Sequence, residues 1–392
     1  MKFIELPLSA GLQQKLAQSQ FTTMTPVQAA AIPQAMAGKD VLATAQTGTG
    51  KTLAFLIPIV ERMLQSTSRN VEVLILVPTR ELAMQVREQY EAIRGKMPQA
   101  ALVIGGLSER PQIDALRAGT RIVVATPGRL EDFLGRRLIS LSNVRTLVLD
   151  ESDRMLDMGF LPSIRRIVGA LPKARQTLCF SATLEASVAA LVNDYMHNPE
   201  RVEVGSASKP AESVDLQAFE VTMAEKPEVL RQLLTEEKGQ TLIFARTKRG
   251  TERLAKSLVR DGFSAAMIHG DRTQSQRTGA LTGFQEGKVQ ILVATDVASR
   301  GIHVDDIAHV INYDLPTLAE DLIHRVGRTG RAGLRGRASM LVCGAETAEL
   351  RRIERALKLT IVRKRMDKGQ MREVKNTLSS RTLSRLPGEI FS

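Results

Sequence analysis

The stretch Gln46-Thr47-Gly48-Thr49-Gly50-Lys51-Thr52 follows a short apolar run, Val41 to Ala45, and ends on a lysine beside a hydroxyl. Glycines at 48 and 50 free the backbone to curl its N–H groups round an anion, and a helix from Leu53 onward would aim its positive end at the same point. Lys51 would then reach the outer phosphates of a nucleoside triphosphate and Thr52 its magnesium. The usual first glycine of the G-x-x-x-x-G-K-[ST] pattern is Ala45 here, so the match is to the variant A-x-x-G-x-G-K-T. Taken alone, the competing reading is an ordinary Gly-rich turn between strand and helix.

Phosphate binding of this kind needs a second, acidic element, and Thr146-Leu-Val-Leu-Asp150-Glu151-Ser152-Asp153 supplies it at the end of an apolar run. Asp150 is placed to hold magnesium through its water shell, and Glu151 to polarise the water that attacks the γ-phosphorus in line. An acidic pair after a strand also reads as a helix N-cap; the loop upstream is what makes it catalytic. Far downstream, His324-Arg325-Val-Gly-Arg328-Thr-Gly-Arg331 sets three arginines on a glycine-broken segment. Arg328 and Arg331 could serve as arginine fingers, an effect of about 10³ to 10⁵ in rate, or the segment could be a basic loop that binds nucleic acid. If the fingers come from a second domain, hydrolysis requires two domains to close on one nucleotide.

Those residues need strands to carry them. Apolar runs at Val41 to Ala45, Val73 to Val77, Ala101 to Ile104, Ile122 to Ala125, Thr146 to Leu149 and Leu178 to Phe180 alternate with helical segments, which implies a parallel sheet covered on both faces. A polar stretch rich in small residues follows, and the pattern restarts at Gln217 to Val221, Thr241 to Phe244, Ala265 to Ile268, Gln290 to Ala294, His309 to Asn312 and Ala338 to Val342. The simplest account is two α/β domains in tandem, 1–204 and 214–366, with a linker at 205–213 and a polar, weakly basic, flexible tail at 367–392.

A chain of 392 residues, 43% apolar, fits two cores better than one. No run nears 18 uninterrupted apolar residues and the N-terminus lacks a secretory pattern, so a cytoplasmic protein with no membrane partner is expected. Cys179 and Cys343 lie in different halves inside apolar runs, which favours buried free thiols. The net charge is +12, and residues 320–392 hold 17 Lys/Arg against 8 Asp/Glu, an excess of +9. That asymmetry points to a polyanion, nucleic acid first among them, or to a basic surface that aids solubility. With no Trp and 4% aromatic residues, contact to the sugar-phosphate backbone suits the composition better than base stacking.

Further segments complete a set: Phe21 with Thr25-Pro26-Val27-Gln28, Pro78-Thr79-Arg80-Glu81-Leu82, Gly105-Gly106, Thr126-Pro127-Gly128-Arg129, Ser181-Ala182-Thr183, Phe244, Gln274 to Arg277, and Ala294-Thr295-Asp296 to Arg300-Gly301. In that order, from about Phe3 to Leu359, the chain resembles the DEAD-box ATP-dependent RNA helicases of superfamily 2, and among them the compact bacterial, RhlE-like members. The resemblance implies two tandem RecA-like domains, each a mostly parallel sheet flanked by helices, with a nucleotide cleft between them. It implies ATP and Mg²⁺ as cofactors, the latter on Thr52 and Asp150, and RNA held without regard to sequence.

By the same resemblance Phe21 would stack on adenine and Gln28 would bond its edge, since an amide offers both a donor and an acceptor. Asp296 and His303 would join residues 46–52 in holding the nucleotide. Pro78, Thr79, Arg80, Gly106, Thr126 and Arg129 would touch the RNA backbone from the first domain, with Thr247, Gly270, Arg277 and Thr295 opposite. Ser181 and Thr183 would pair with Asp153 and His324, linking the nucleotide to closure. Ribonucleoprotein or ribosome-assembly particles are the partner class this implies.

Three positions depart from the family pattern. Ser152 stands where the family name spells alanine, Met24 where a proline is usual, and His303 where many members carry an aspartate that bonds the ribose hydroxyls. The last implies weaker ATP binding. Two rival readings are an ATP-dependent RNA clamp whose unwinding is incidental and a superfamily 2 DNA translocase.

Overall fold

A computed structural model describes residues 1–45, 48–66, 68, 70–184, 186–204, 213–296, 307–330, 335–367 and 370–374. Gln46, Thr47, His303 and Arg331 lie outside them. The described residues up to Val204 form one compact unit and those from Ser213 a second.

In the first unit the strands are β1 (Val41–Ala45), β2 (Val73–Leu76), β3 (Ala101–Val103), β4 (Ile122–Ala125), β5 (Thr146–Asp150), β6 (Gln176–Ser181) and β7 (Glu200–Val204). They lie parallel in the order β3-β4-β2-β5-β6-β1-β7. The period of two sorts their side chains. Val41, Ala43, Val73, Ile75 and Val124 face a core shared with the helices Ala10–Gln18, Pro26–Met36, Lys51–Leu64 and Arg80–Ile93. Leu42, Leu74, Leu76 and Val123 face another, shared with Pro127–Gly135, Leu161–Gly169 and Ala186–Tyr195. Apolar side chains on both faces are what a buried parallel sheet demands, and they explain why these strands read as continuous apolar runs.

The second unit contains β8 (Val214–Glu220), β9 (Gln240–Phe244), β10 (Ala265–Ile268), β11 (Ile291–Ala294), β12 (Ile307–Asn312), β13 (Gly336–Val342), β14 (Val362–Asp367) and β15 (Gln370–Val374). Their order is β10-β11-β9-β12-β13-β8-β14-β15, parallel except for β15. Both sheets are flanked by helices, as expected.

The strands that apolar runs did not reveal are β7, at one edge of its sheet, and the β14–β15 pair, which extends the other sheet beyond β8 and puts β15 at its edge. β7 reads Glu-Arg-Val-Glu-Val and only Val202 within it is buried. The tail expected at 367–392 is corrected at its start, where Gln370–Val374 pairs antiparallel with β14 and sets Lys364 opposite Glu373; residues 375–392 lie outside the described residues. An edge strand has one bare ladder and a solvated face, so charge is tolerated there and guards against pairing with other chains. Among the described residues no helix is long and apolar enough to cross a membrane, and both cysteines are buried and unbridged.

Candidate functional site

β1 ends at Ala45, and the helix Lys51–Leu64 opens from Gly50. Gly48 and Gly50 both adopt left-handed backbone, with φ of 86° and 87°, a region glycine enters without penalty. Gly50 caps the helix with no side-chain acceptor, so its first N–H groups stay available to an anion. Lys51 is buried, and its Nζ donates to the Ala45 carbonyl at 2.8 Å, which holds the amine over the loop. Thr52 is half-buried on the first turn and Thr49 half-buried in the loop.

Gln28 meets this loop from the helix Pro26–Met36. Its Oε1 accepts from the Thr25 N–H at 2.8 Å and its Nε2 donates to the Gly50 carbonyl at 3.0 Å. One amide hydrogen and one lone pair remain for a base edge. Phe21 packs half-buried against the same core. A Cβ on Gly50 would fall 2.4 Å from Gln28 Nε2 in addition to straining the backbone. Gly50→Ala should therefore weaken ATP binding about 10- to 100-fold in a fluorescent-nucleotide titration.

Asp150 ends β5, and Glu151 follows as the N-cap of the short helix Ser152–Asp157. Burial pushes the Asp150 carboxyl up to about 7, the Lys51 charge working against that rise and Glu151 adding to it. A buried carboxylate this poorly compensated suits a divalent cation, and together with the Thr52 hydroxyl it offers the hard oxygens that magnesium takes. Glu151 has φ of 51°, an uncommon conformation for a residue with a Cβ. Its carboxylate is paired with the Arg154 guanidinium in a buried contact. Asp153 accepts from the N–H groups of Ala182 and Thr183 at 2.9 and 3.1 Å and from the Thr183 hydroxyl at 3.5 Å. Ser181 Oγ, by contrast, is buried without a hydrogen-bond partner among the described residues.

The residues expected on RNA from the first unit gather at the C-terminal ends of β2, β3 and β4. Thr79 caps the helix Arg80–Ile93 by accepting from Leu82 N–H, and Pro78 precedes it, buried. Arg80 lies across Gly106: a Cβ there would sit 1.9 Å from Arg80 Nη1. Thr126 Oγ1 accepts from Gly105 N–H at 3.4 Å, and Arg129 reaches Glu109 at 3.7 Å while lying over the Phe133 ring. In the second unit Thr247 caps the helix Lys248–Arg260. Gly270 abuts Lys248, and Arg277 and Thr295 are buried. His324 rides on the helix Ala319–Val326, and Arg328 beyond it is 2% exposed.

The family model for the DEAD/DEAH box helicase domain matches residues 25–191, and that for the helicase conserved C-terminal domain matches 225–333. The ATP-dependent RNA helicase CshA of Limosilactobacillus reuteri is 41% identical over 365 residues, covering 93% of this chain and 73% of its own. This chain is a DEAD-box ATP-dependent RNA helicase. The CshA helicase of Bacillus subtilis is 41% identical over 91% of this chain and 72% of its own. Among solved structures, Saccharomyces cerevisiae Dbp5 bound to RNA and ADP BeF3 superposes with a TM-score of 0.84 at 29% identity, over 93% of this chain and 96% of that one. Mss116p bound to single-stranded RNA and AMP-PNP gives 0.82 at 29% identity, over 92% of this chain and 78% of that one.

Three partnerships in this DEAD-box helicase escape sequence reading. Ser152, the departure from alanine, is fully buried, donating to the Phe180 carbonyl at 3.4 Å and accepting from the Cys179 thiol at 3.3 Å. Arg154 holds the Glu151 carboxylate. Arg325 grips Asp296 with two bonds of 2.6 and 2.7 Å, and donates as well to Asn312 Oδ1 and the Asp314 carbonyl. Asp296, expected on the nucleotide, thus has its carboxylate engaged within its own unit. Only the spacing Glu151 to Arg154, one helical turn, could have been read in advance.

Proposed function

We propose that the loop Gly48 to Thr52 holds the phosphates of ATP while Gln28 and Phe21 select the adenine. The observation that carries this is the contact of Gln28 with the Gly50 carbonyl, which ties the base-reading residue to the phosphate loop. Lys51 leaves the Ala45 carbonyl for the outer phosphates. Thr52 and Asp150 would hold magnesium, which when bound neutralises phosphate charge. Glu151, oriented by Arg154, takes up the attacking water. Asp153 carries the state of the nucleotide to the Ala182–Thr183 backbone, so on this reading Asp153 couples chiefly through main-chain N–H groups and one hydroxyl. Arg328 and Arg331 act on the transferring phosphoryl group and tie hydrolysis to bound RNA.

RNA is gripped through its backbone by Arg80, Gly106, Thr126 and Arg129 and by Thr247, Gly270, Arg277 and Thr295, which makes binding independent of sequence and sensitive to the 2′-hydroxyl. The reading extends to a cytoplasmic location and to ribonucleoprotein substrates. ATP hydrolysis measured with RNA, with DNA and with neither tests it: RNA should raise kcat at least about tenfold and DNA should not. Equal stimulation by DNA would overturn the RNA assignment.

A further inference from the structure

One cavity in the first unit serves neither the nucleotide nor the RNA assignments. It measures about 630 Å³, within the roughly 300–1,000 Å³ typical of small-molecule sites. Leu102, on the outermost strand β3, and Ile104, just past the end of that strand, form its floor. Met84 walls it from the helix Arg80–Ile93, and Pro111 and Ala115 from the helix Glu109–Arg117.

Its buried polar lining is already committed. Gln112 bonds both the N–H and the carbonyl of Ile104 and reaches the Ser108 carbonyl as well. The single O–H of Thr120 is shared between the Ile122 and Gln99 carbonyls, 2.7 and 3.0 Å away, and its oxygen accepts from Ala101 N–H. The single charged residue in the lining is Arg87, exposed and without an ion pair among the described residues. A largely apolar lining whose buried polar side chains are already bonded, with one cation at the mouth, selects for an apolar body bearing an anionic head.

We propose that this cavity binds a small amphipathic anion, its carboxylate or sulfonate on Arg87, and that occupancy weakens RNA binding. The second half rests on the RNA reading above. The wall helix begins at Arg80, and Leu107 and Ser108 at the rim follow directly on Gly106, which already touches the Arg80 guanidinium. A guest pressing on Leu107 moves Gly106 against Arg80.

Titrating the full chain with anilinonaphthalene sulfonate should give a saturable rise in fluorescence that ATP leaves unchanged. Arg87→Glu, at an exposed position, should weaken it about tenfold. Ala115→Trp, which fills the cavity from an exposed helix position, should abolish it. Titrations unaltered in both variants, or displacement of the dye by ATP, would overturn the site. With the site saturated, the KM for RNA in the ATPase assay should rise several-fold while that for ATP stays put. Saturable binding with an unmoved KM for RNA would overturn the coupling alone, and an ATPase blind to RNA would fault the RNA reading instead.

Discussion

Replacing Asp150 by asparagine should raise the thermal stability of the ligand-free protein while abolishing its ATPase activity. Asp150 is 2% exposed, and burial lifts its carboxyl from 3.8 to about 7. The folded state therefore binds the proton more tightly than the unfolded chain does. Stability from this group is fully present below about 4, is lost as pH rises through about 7, and leaves a buried, poorly compensated anion above that. Asparagine keeps the shape and the acceptor for Glu151 N–H, which bonds Asp150 Oδ1 at 3.0 Å. It removes the charge.

The gain should be about 1–3 kcal/mol at alkaline pH and smaller in mild acid. For a unit of this size that is about 2–4 °C in Tm for each kcal/mol. Calorimetry near pH 5 and near pH 8 checks the sign: an Asp150→Asn protein less stable than its parent at the higher pH would refute it. The same charge is what a divalent cation would use, so kcat should fall about 100-fold or more in the variant. On the proposed reading stability and activity move in opposite directions, because the site would keep an anion whose compensation comes with the bound nucleotide and its cation.

Arg325→Ala should be the most damaging change in the second unit. Its guanidinium is buried, makes two bonds to Asp296, one to Asn312 and one to the Asp314 carbonyl, and lies over the Phe244 ring. Removing it leaves Asp296 and the Asn312 side chain without these bonds, a loss of about 3–5 kcal/mol. Denaturant midpoints of Arg325→Ala, Asp296→Asn and the double variant form a cycle. Strong non-additivity, about 1–3 kcal/mol, is expected. Additive effects, with the Asp296→Asn change appearing in the KM for ATP and not in stability, would return Asp296 to the nucleotide and sink this account.

The fold was legible wherever a strand is covered on both faces. β1, β2, β4 and β5 are wholly buried and read as unbroken apolar runs. β7, at a sheet edge, and the β14–β15 pair were not, because charged residues interrupt their apolar pattern. The site divides in the same way. Gly48, Gly50, Lys51 and Asp150 announce themselves, since backbone freedom, a cation and a carboxylate are properties of residue type. Ser181 and Thr183 were expected to pair with Asp153 and His324; Asp153 accepts from the Thr183 hydroxyl and from the Ala182 and Thr183 N–H groups, while Ser181 Oγ has no hydrogen-bond partner among the described residues. A main-chain donor leaves no trace in residue identity.

Composition and order of residues were enough to establish two tandem α/β units and the family that contains them, and to single out the candidate phosphate loop and acidic pair. Partnership across distance had to wait for the folded chain. Gln28 on Gly50, Ser152 on Cys179 and Arg325 on Asp296 join residues 22, 27 and 29 apart. The lifted Asp150 carboxyl and the cavity over β3 are likewise products of packing. Local chemistry is written residue by residue, whereas burial, field and contact arise only when distant segments exclude water together.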